Sequence, residues 1–343
     1  MEKIILPKIR SHAFSALDNI VFSTRVRLAR NIEALPFPAY LPQAQKIQIE
    51  DQFSDILSKT DSYTSINSIN ISKYNKKQIL NMEKDLIITE EFTEFGDIFF
   101  FDKNAEWIFL PNEKDHIRIF GIDFGSKAKP IYKRISEIVN SIEEEIHFSY
   151  HSEFGYTTAY ANNAGNALSV SYLLNLAALE MANLTSSLAT LCQESGYQLQ
   201  PFHGLKNSQL YFFKNISSFG ISELELIDKM QEFLNKIHYK EQEVKEELLS
   251  KNGDHEFLIE HLLHMINQKN INQTEVIEVI ALAEMLCGVS TKISNRDEWR
   301  ALIFRLHSNS SIFNSLSSNI EEIAEYRAQL LQQNFKKLIK ITT

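Results

Sequence analysis

The sequence is poor in the residues on which disulfide-rich, collagen-like and low-complexity chains depend. Its 343 residues contain only 2 cysteines, 10 glycines and 7 prolines. Cys192 and Cys287 lie far apart without metal-ligand spacing, a pattern that suits a reducing compartment and excludes a disulfide framework. The remainder, 44% hydrophobic and 23% charged, is the composition of an ordinary folded protein.

Long apolar runs and positive charge are also scarce. No segment approaches 18 consecutive apolar residues, and the apolar run near the first residue is too short for a signal peptide. We therefore expect a cytoplasmic protein that does not enter a membrane. The net charge of −9 disfavours a partner such as nucleic acid or an anionic membrane, since these are bound through clustered lysine and arginine. A local basic pocket for phosphate is still allowed.

The pattern of apolar residues predicts an α+β fold in two parts. Short segments rich in β-branched and aromatic residues predict four strands between 84 and 122, the first being "DLIITEEF". Helical spacing predicts a helix over 129–146, and beyond about 241 the whole sequence has helical character. We therefore expect an α+β domain at residues 1–240 and a helical domain at 241–343.

The stretch "VFSTRVRLAR", residues 21–30, combines strand character with paired arginines. Arg25 and Arg27 are two residues apart, so in an extended chain both side chains point to the same side. The guanidinium group is planar and always charged, and it forms paired hydrogen bonds with phosphate oxygens. Two such groups on one strand face suit a polyphosphate. A solvated strand face with surface arginines would give the same pattern.

A second unusual stretch is "FLPNEKDHIRIFGI", residues 109–122. Ionisable residues interrupt an otherwise apolar strand pair, and buried strands seldom carry so many unless they are paired or functional. A polar hairpin turn at "PNEKD" is the simpler alternative.

Together these stretches resemble the phosphagen (ATP:guanidino) kinase family, and most closely the bacterial protein-arginine kinases of the McsB type. The resemblance continues through "EKDLII", "FGYTTAYANNAGNALSVSYLLNLAAL", "NISSFGISELELIDKM" and "INQTEVIEVIALAEML", in order along nearly the whole chain. It implies an antiparallel β-sheet flanked by helices, of the glutamine-synthetase-like type, followed by an all-helical C-terminal domain.

The resemblance also implies a site for ATP and Mg²⁺. The matching segment is Ser23, Thr24, Arg25, Val26 and Arg27, and Arg118 matches a further phosphate-binding arginine. No protein ligand for a metal ion is expected. The histidine that the family carries near the adenine corresponds to Asp85.

The catalytic positions depart from the family pattern. Lys114 stands where the resemblance implies the catalytic glutamate, and Tyr160 stands in place of the substrate-side cysteine. Ser169 and His203 replace two further phosphate-binding arginines. An ammonium group repels a guanidinium substrate and cannot take its proton, so the sequence predicts a pseudokinase.

The alternative is an active kinase with a rebuilt site, in which Glu113 or Asp115 serves as the carboxylate. In a strand these side chains would face away from residue 114, although a turn at 112–115 would weaken that objection.

A phosphoarginine-binding motif, Arg-Asp-x-x-Arg-Ala, is implied for the C-terminal domain. Its aligned counterpart is "EEIAEYRA", which keeps only Arg327 and Ala328. The letters of the motif occur earlier, in "RDEWRA", with Arg296, Asp297 and Arg300. Charge pairs on the first turns of a helix are the alternative for this segment.

The partners that the resemblance implies are proteins. We expect a homodimer that regulates an active kinase, a McsA-like zinc-binding adaptor or a Clp-type protease. The sequence does not distinguish among them.

Overall fold

A computed structural model describes residues 15–59, 66–84, 88–205, 208–250, 254–307 and 319–342. The strands are β1 (Val21–Arg30), β2 (Ile66–Asn70), β3 (Ile98–Asp102), β4 (Ile108–Pro111), β5 (Ile117–Phe124), β6 (Tyr150–His151), β7 (Gly155–Tyr156), β8 (Leu168–Asn175), β9 (Tyr197–Pro201), β10 (Leu210–Asn215), β11 (Thr291–Ile293) and β12 (Ile339–Ile341).

The helices are α1 (Gln43–Lys59), α2 (Lys76–Lys84), α3 (Glu90–Phe95), α4 (Ala128–Glu143), α5 (Ala177–Met181), α6 (Thr185–Glu194), α7 (Glu223–Ser250), α8 (Asp254–Ile266), α9 (Gln273–Met285), α10 (Arg296–Arg305) and α11 (Ile320–Leu338).

An eight-stranded sheet in the order β2-β3-β4-β5-β1-β8-β10-β9 forms the centre of the molecule. Its described strand pairs are antiparallel. The arginine-bearing strand β1 lies near the middle, between β5 and β8, so residues far apart in sequence meet beside it.

One face of this sheet packs on α1, α4 and α7. Val26 and Leu28 of β1 point to this face and belong to the main hydrophobic core. Gly121 of β5 allows close packing here, because a Cβ atom at this position would lie 2.6 Å from the Ile131 side chain of α4.

The other face is covered only in part. Over β2 to β5 a second cluster contains Phe92 of α3, Phe99 and Phe120, so α2 and α3 shield this half. Beyond β5 the same face carries polar side chains on β1, β8, β10 and β9. The arginines of β1 stand where the covered half meets the polar half.

The predicted antiparallel sheet flanked by helices, with a helical C-terminal part, is confirmed. The helix predicted over 129–146 is α4, at Ala128–Glu143. The boundary expected at 240 falls inside α7, which runs unbroken from Glu223 to Ser250, and it stays a prediction.

Two elements differ from expectation. The strand predicted at "DLIITEEF" is wrong for its second half, because residues 90–95 form α3 with Thr89 capping it through a hydrogen bond from the Phe92 amide. The C-terminal part is also not purely helical, since β11 and β12 form a two-stranded sheet. No helix in the described ranges is long and apolar enough to cross a membrane.

Candidate functional site

Three arginines gather on one face of the central strands. Arg25 and Arg27 project from β1 on the polar side, as strand alternation predicts. Arg118 of β5 is paired with Ala29, and this register places it on the same face beside Arg27. The guanidinium carbon of Arg25 lies 4.3 Å from the centre of the Phe120 ring, which holds the side chain in place. We call these three residues the arginine cluster.

Burial and mutual repulsion disfavour the positive charges of the arginine cluster. Burial, with the neighbouring Arg27 charge, lowers the pKa of Arg25 to about 10. Burial and the charges of Arg27 and Arg25 lower the pKa of Arg118 to about 9. Within the described residues the Nε atoms of all three are buried and have no hydrogen-bond partner. Unsatisfied buried donors that repel one another favour binding of an anion.

The rest of the predicted nucleotide-binding segment divides between the two faces. Ser23 shares the face of Arg25 and is nearly buried. Thr24 points to the other face, where its hydroxyl donates to the Gly125 carbonyl at 2.5 Å. Val26 is fully buried in the main core. The side chains of Thr24 and Val26 therefore do not share the face of the arginine cluster, and a role of these two residues in nucleotide binding stays a prediction.

Residues 112–116 form a loop between β4 and β5, so strand alternation does not apply there. Asn112 adopts a positive φ of 51° and donates through Nδ2 to the Lys46 carbonyl at 3.0 Å and to Glu50 at 3.3 Å. Burial raises the pKa of Glu50 to about 7. The loop is thereby anchored to α1.

The far end of this loop is anchored by Asn31, the residue that follows β1. Its amide nitrogen donates to the Asp115 carboxylate at 2.6 Å, and its oxygen accepts from the His116 backbone amide at 3.0 Å. Asp115 also accepts from the Ala159 amide at 2.7 Å. Burial lowers the pKa of His116 to about 4, so its ring is neutral at pH 7. Asp115 is committed to holding the loop.

Glu113 faces the arginine cluster. Its carboxylate forms an ion pair with Arg118 and accepts from the Thr89 hydroxyl at 2.8 Å. The Glu113 side chain is 2% exposed. The objection that residue 113 must face away is wrong, because the loop turns this carboxylate inward.

Lys114 places a positive charge where the resemblance implies a catalytic carboxylate. Its ammonium group lies 2.8 Å from a carboxylate oxygen of Glu91, hydrogen-bonds the Tyr160 hydroxyl, and sits 4.6 Å from the centre of the Tyr160 ring. These contacts, with Glu91 first, raise the pKa of Lys114. The residue is therefore protonated at neutral pH. The two replaced positions, 114 and 160, contact each other.

Glu91 was missed by the sequence analysis. It lies in the first turn of α3, in the segment expected to be a strand. The signal that could have found it is the capping residue Thr89 followed by two acids, since acidic residues favour the first turn of a helix.

The two remaining replaced positions differ in what the structure describes. Ser169 on β8 is paired with Arg27 and shares its face. His203 falls in a short 3₁₀ turn, Phe202–Gly204, and its side chain lies outside the described residues. Asp85 lies outside them as well.

The "RDEWRA" arginines bind a carboxylate of the protein. Glu284 of α9 is fully buried and accepts from Arg296 Nε at 2.7 Å and from Arg300 Nε at 2.9 Å. Arg300 also donates to the carbonyls of Val21 at 3.2 Å and Asp18 at 2.7 Å. The expected charge pairs are thus between two helices. With no exposed surface, Arg300 ties α10 to the start of β1.

The other members of the two motif candidates are also buried. Asp297 is 5% exposed in the first turn of α10. Arg327 is 4% exposed and donates to the carbonyls of Leu306 and Ile271, each at 3.0 Å. Neither set of residues forms an open basic pocket.

The arginine cluster fits the phosphates of a nucleotide. Arg25 and Arg27 are partly exposed, and their buried Nε donors have no partner in the described part of the chain. Among the same residues, no group of three or more His, Cys, Asp or Glu could hold a metal ion by itself. A Mg²⁺ ion that accompanies a nucleotide is usually held by the phosphates, by water and by one or two carboxylates.

A family model matches residues 48–244, and it describes the C-terminal catalytic domain of the ATP:guanido phosphotransferases. The chain belongs to this family.

The similar curated proteins are protein-arginine kinases. That of Clostridium perfringens (strain 13 / Type A) is 28% identical over 247 residues, which is 68% of this chain and 71% of the relative. That of Clostridium acetobutylicum is 25% identical over 332 residues, covering 94% of this chain and 95% of the relative. Similarity therefore extends through the C-terminal helices.

Solved structures of phosphagen kinases share the fold. The duplicated taurocyamine kinase of Schistosoma mansoni with bound transition state analog components matches 75% of this chain with a TM-score of 0.62 and 20% identity. This chain covers 39% of that duplicated protein. Lombricine kinase matches with a TM-score of 0.59 and 19% identity, over 68% of this chain and 69% of its own.

Proposed function

We propose that this ATP:guanido phosphotransferase family member is a pseudokinase of the protein-arginine kinase type. It binds ATP through the arginine cluster and acts as a regulator of other proteins. The observation that carries the proposal is the environment of Lys114, a cation paired with Glu91 and packed on Tyr160.

Phosphoryl transfer to a guanidinium group needs a carboxylate to orient the group and take its proton. Lys114 supplies a positive charge where the family resemblance implies that carboxylate. Loss of one preorganised charge typically costs a factor of about 10²–10³ in rate, and Ser169 adds a second loss at a phosphate-binding position. Turnover then falls towards background.

The neighbouring acids are already occupied. Glu113 is paired with Arg118 and hydrogen-bonded by Thr89. Asp115 accepts from Asn31 and from the Ala159 amide. Either acid would have to leave these partners before it could grip a substrate. This disfavours the rebuilt kinase.

Retention of ATP is supported by the unpartnered donors of Arg25 and Arg27 in the described residues. Mg²⁺ would enter with the phosphates. The regulatory role follows from the proposed loss of turnover in a chain whose similarity to a protein-arginine kinase covers 94% of its length. We propose that the protein acts as a homodimer on an active kinase, a McsA-like adaptor or a Clp-type protease in the cytoplasm.

The test combines turnover and binding. Purified protein with Mg-ATP and an arginine-rich protein acceptor is assayed for phosphoarginine, and nucleotide binding is measured by calorimetry. We expect binding without turnover. Binding should be lost in the Arg25→Ala/Arg27→Ala double variant and kept in Arg305→Ala, which changes a partly exposed arginine of α10.

Turnover that disappears in Glu113→Gln or Asp115→Asn would overturn the pseudokinase proposal in favour of a rebuilt kinase. Absence of both turnover and binding would contradict the retained ATP site. Light scattering of the purified chain tests the homodimer.

A further inference from the structure

The sheet register extends the row of basic residues beyond the arginine cluster. On β8, Ser171 is paired with Arg25, and on β10, Lys214 is paired with the same Ser171. Directly paired residues of antiparallel strands point to the same face. Arg25, Ser171 and Lys214 therefore form one row across three neighbouring strands, with Lys214 about 10 Å from Arg25 at the usual strand spacing.

This part of the sheet face contains no carboxylate. On β1, β8, β10 and β9 the positions that share the face of Arg25 are occupied by basic, hydroxyl, amide and apolar side chains. The polar members, which we call the open face, are Ser23, Arg25, Arg27, Ser169, Ser171, Gln198, Gln200 and Lys214. In a chain of net charge −9, four strands whose charged residues on this face are all basic favour an anionic ligand.

Within the described part of the chain, the polar side chains around Lys214 have no hydrogen-bond or ion-pair partner. Lys214 is partly exposed and has no ion pair among the described residues. The hydroxyls of Ser169 and Ser171 likewise have no hydrogen-bond partner in the described ranges. The Arg25 and Arg27 Nε donors beside them are buried without partners there. The row thus presents cationic donors at both ends and the Ser171 hydroxyl between them.

We propose that Lys214 is a fourth cationic contact for a phosphate chain that lies across β1 and β8. The ligand class is an extended phosphate polyanion, either a nucleoside triphosphate or inorganic polyphosphate. The proposal rests on the proposed binding of phosphate at the arginine cluster and names a contact outside it. Lys214 supplies charge from the next strand, diagonally across from Ser169, where diagonal neighbours lie about 7–8 Å apart.

Calorimetry on the full chain tests this contact with Mg-ATP and, in separate titrations, with tripolyphosphate. Lys214→Ala should weaken the binding of both ligands about tenfold, the typical effect of losing one charge-assisted hydrogen bond. Lys214→Arg keeps the charge and should bind within about twofold of wild type. Lys292→Ala is the matched control, because Lys292 is an exposed strand lysine in the separate β11–β12 sheet.

The outcomes separate this inference from the proposed function. If Lys214→Ala binds both ligands like wild type while Arg25→Ala/Arg27→Ala does not bind, the Lys214 contact is wrong and the arginine site stands. A loss seen with Mg-ATP but not with tripolyphosphate would also overturn the inference, since Lys214 would then contact the nucleoside. If wild type binds neither ligand, both proposals fail.

Discussion

At the scale of single residues, Glu113 acts as an internal counter-ion. Its carboxylate is almost fully buried against Arg118, whose own charge is disfavoured by burial and by two other arginines. An incoming phosphate must therefore compete with Glu113 for the same guanidinium group. Because of this competition, Glu113 stabilises the folded protein but weakens its affinity for an anion.

Glu113→Gln should lower stability and raise anion affinity together. We expect a loss of about 2–4 kcal/mol in the free energy of unfolding, because Arg118 is left without its buried partner. Binding of Mg-ATP should tighten about fivefold or more, since Arg118 becomes available to the phosphates. Urea denaturation and calorimetry measure the two effects.

Glu91→Gln is the control for the effect of Glu113→Gln on stability. Glu91 is 39% exposed and its partner Lys114 is 26% exposed, so the change in stability should stay within about 1 kcal/mol. An unchanged or weaker affinity for Mg-ATP in Glu113→Gln would show that Glu113 does not compete with the ligand.

At the scale of elements, α1 anchors the loop that carries Glu113 and Lys114. Glu50 of α1 accepts from the Asp97 amide at 3.0 Å and from Asn112. Burial raises its pKa from 4.5 to about 7. The folded state therefore binds this proton more tightly than the unfolded state, so the group stabilises the fold at low pH. That contribution is lost as the pH rises through about 7.

Glu50→Gln should therefore be stabilising at high pH only. The glutamine oxygen still accepts both hydrogen bonds but carries no charge. We expect the variant to gain about 1–2 kcal/mol relative to wild type between about pH 5 and pH 8. Guanidinium denaturation across this range measures it, with the exposed Asp51→Asn in the same helix as control. A difference that does not vary with pH would contradict the assignment.

The α9–α10 contact offers a second element-scale test. Glu284→Gln removes the charge that two guanidinium groups share at a fully buried position. We expect the free energy of unfolding to fall by about 3–5 kcal/mol. Glu278→Gln on the same helix, where the side chain is 33% exposed, should cost less than about 1 kcal/mol. Equal effects of the two changes would argue against the buried clamp.

Helices and strands differ in how readily the sequence predicted them. The paired arginines of β1 follow from alternation within one strand, so their shared face could be predicted. In "DLIITEEF" the apolar residues outweighed the capping signal of Thr89, so the local pattern favoured a strand over α3. Glu91 then could not be connected with Lys114.

At the scale of the whole molecule, the sequence did not predict the register between strands that are distant along the chain. The resemblance implied that Arg118 joins Arg25 and Arg27, but only the β1–β5 register shows it on their face. Lys214 had no sequence signal, because the β1–β8–β10 pairing that places it in one row with Ser171 and Arg25 depends on tertiary structure. Glu284, the partner of Arg296 and Arg300, was missed for the same reason.

Ligand binding should be visible in the stability of the whole chain. A ligand that binds only the folded state stabilises it by about 2.7 kcal/mol at a hundredfold excess over Kd. We expect saturating Mg-ATP to raise the Tm of wild type by about 5 °C. The Arg25→Ala/Arg27→Ala variant should show no shift. A shift of equal size in both proteins would place the ligand elsewhere.

Arg300 connects the C-terminal part directly to the arginine-bearing strand β1. It reaches from α10 to the carbonyl of Val21, the first residue of β1. A tilt of α10 must therefore pull the strand along or leave a buried guanidinium without its acceptors. A protein that docks on the C-terminal helices and shifts α10 would thus change phosphate binding without contacting the arginine cluster.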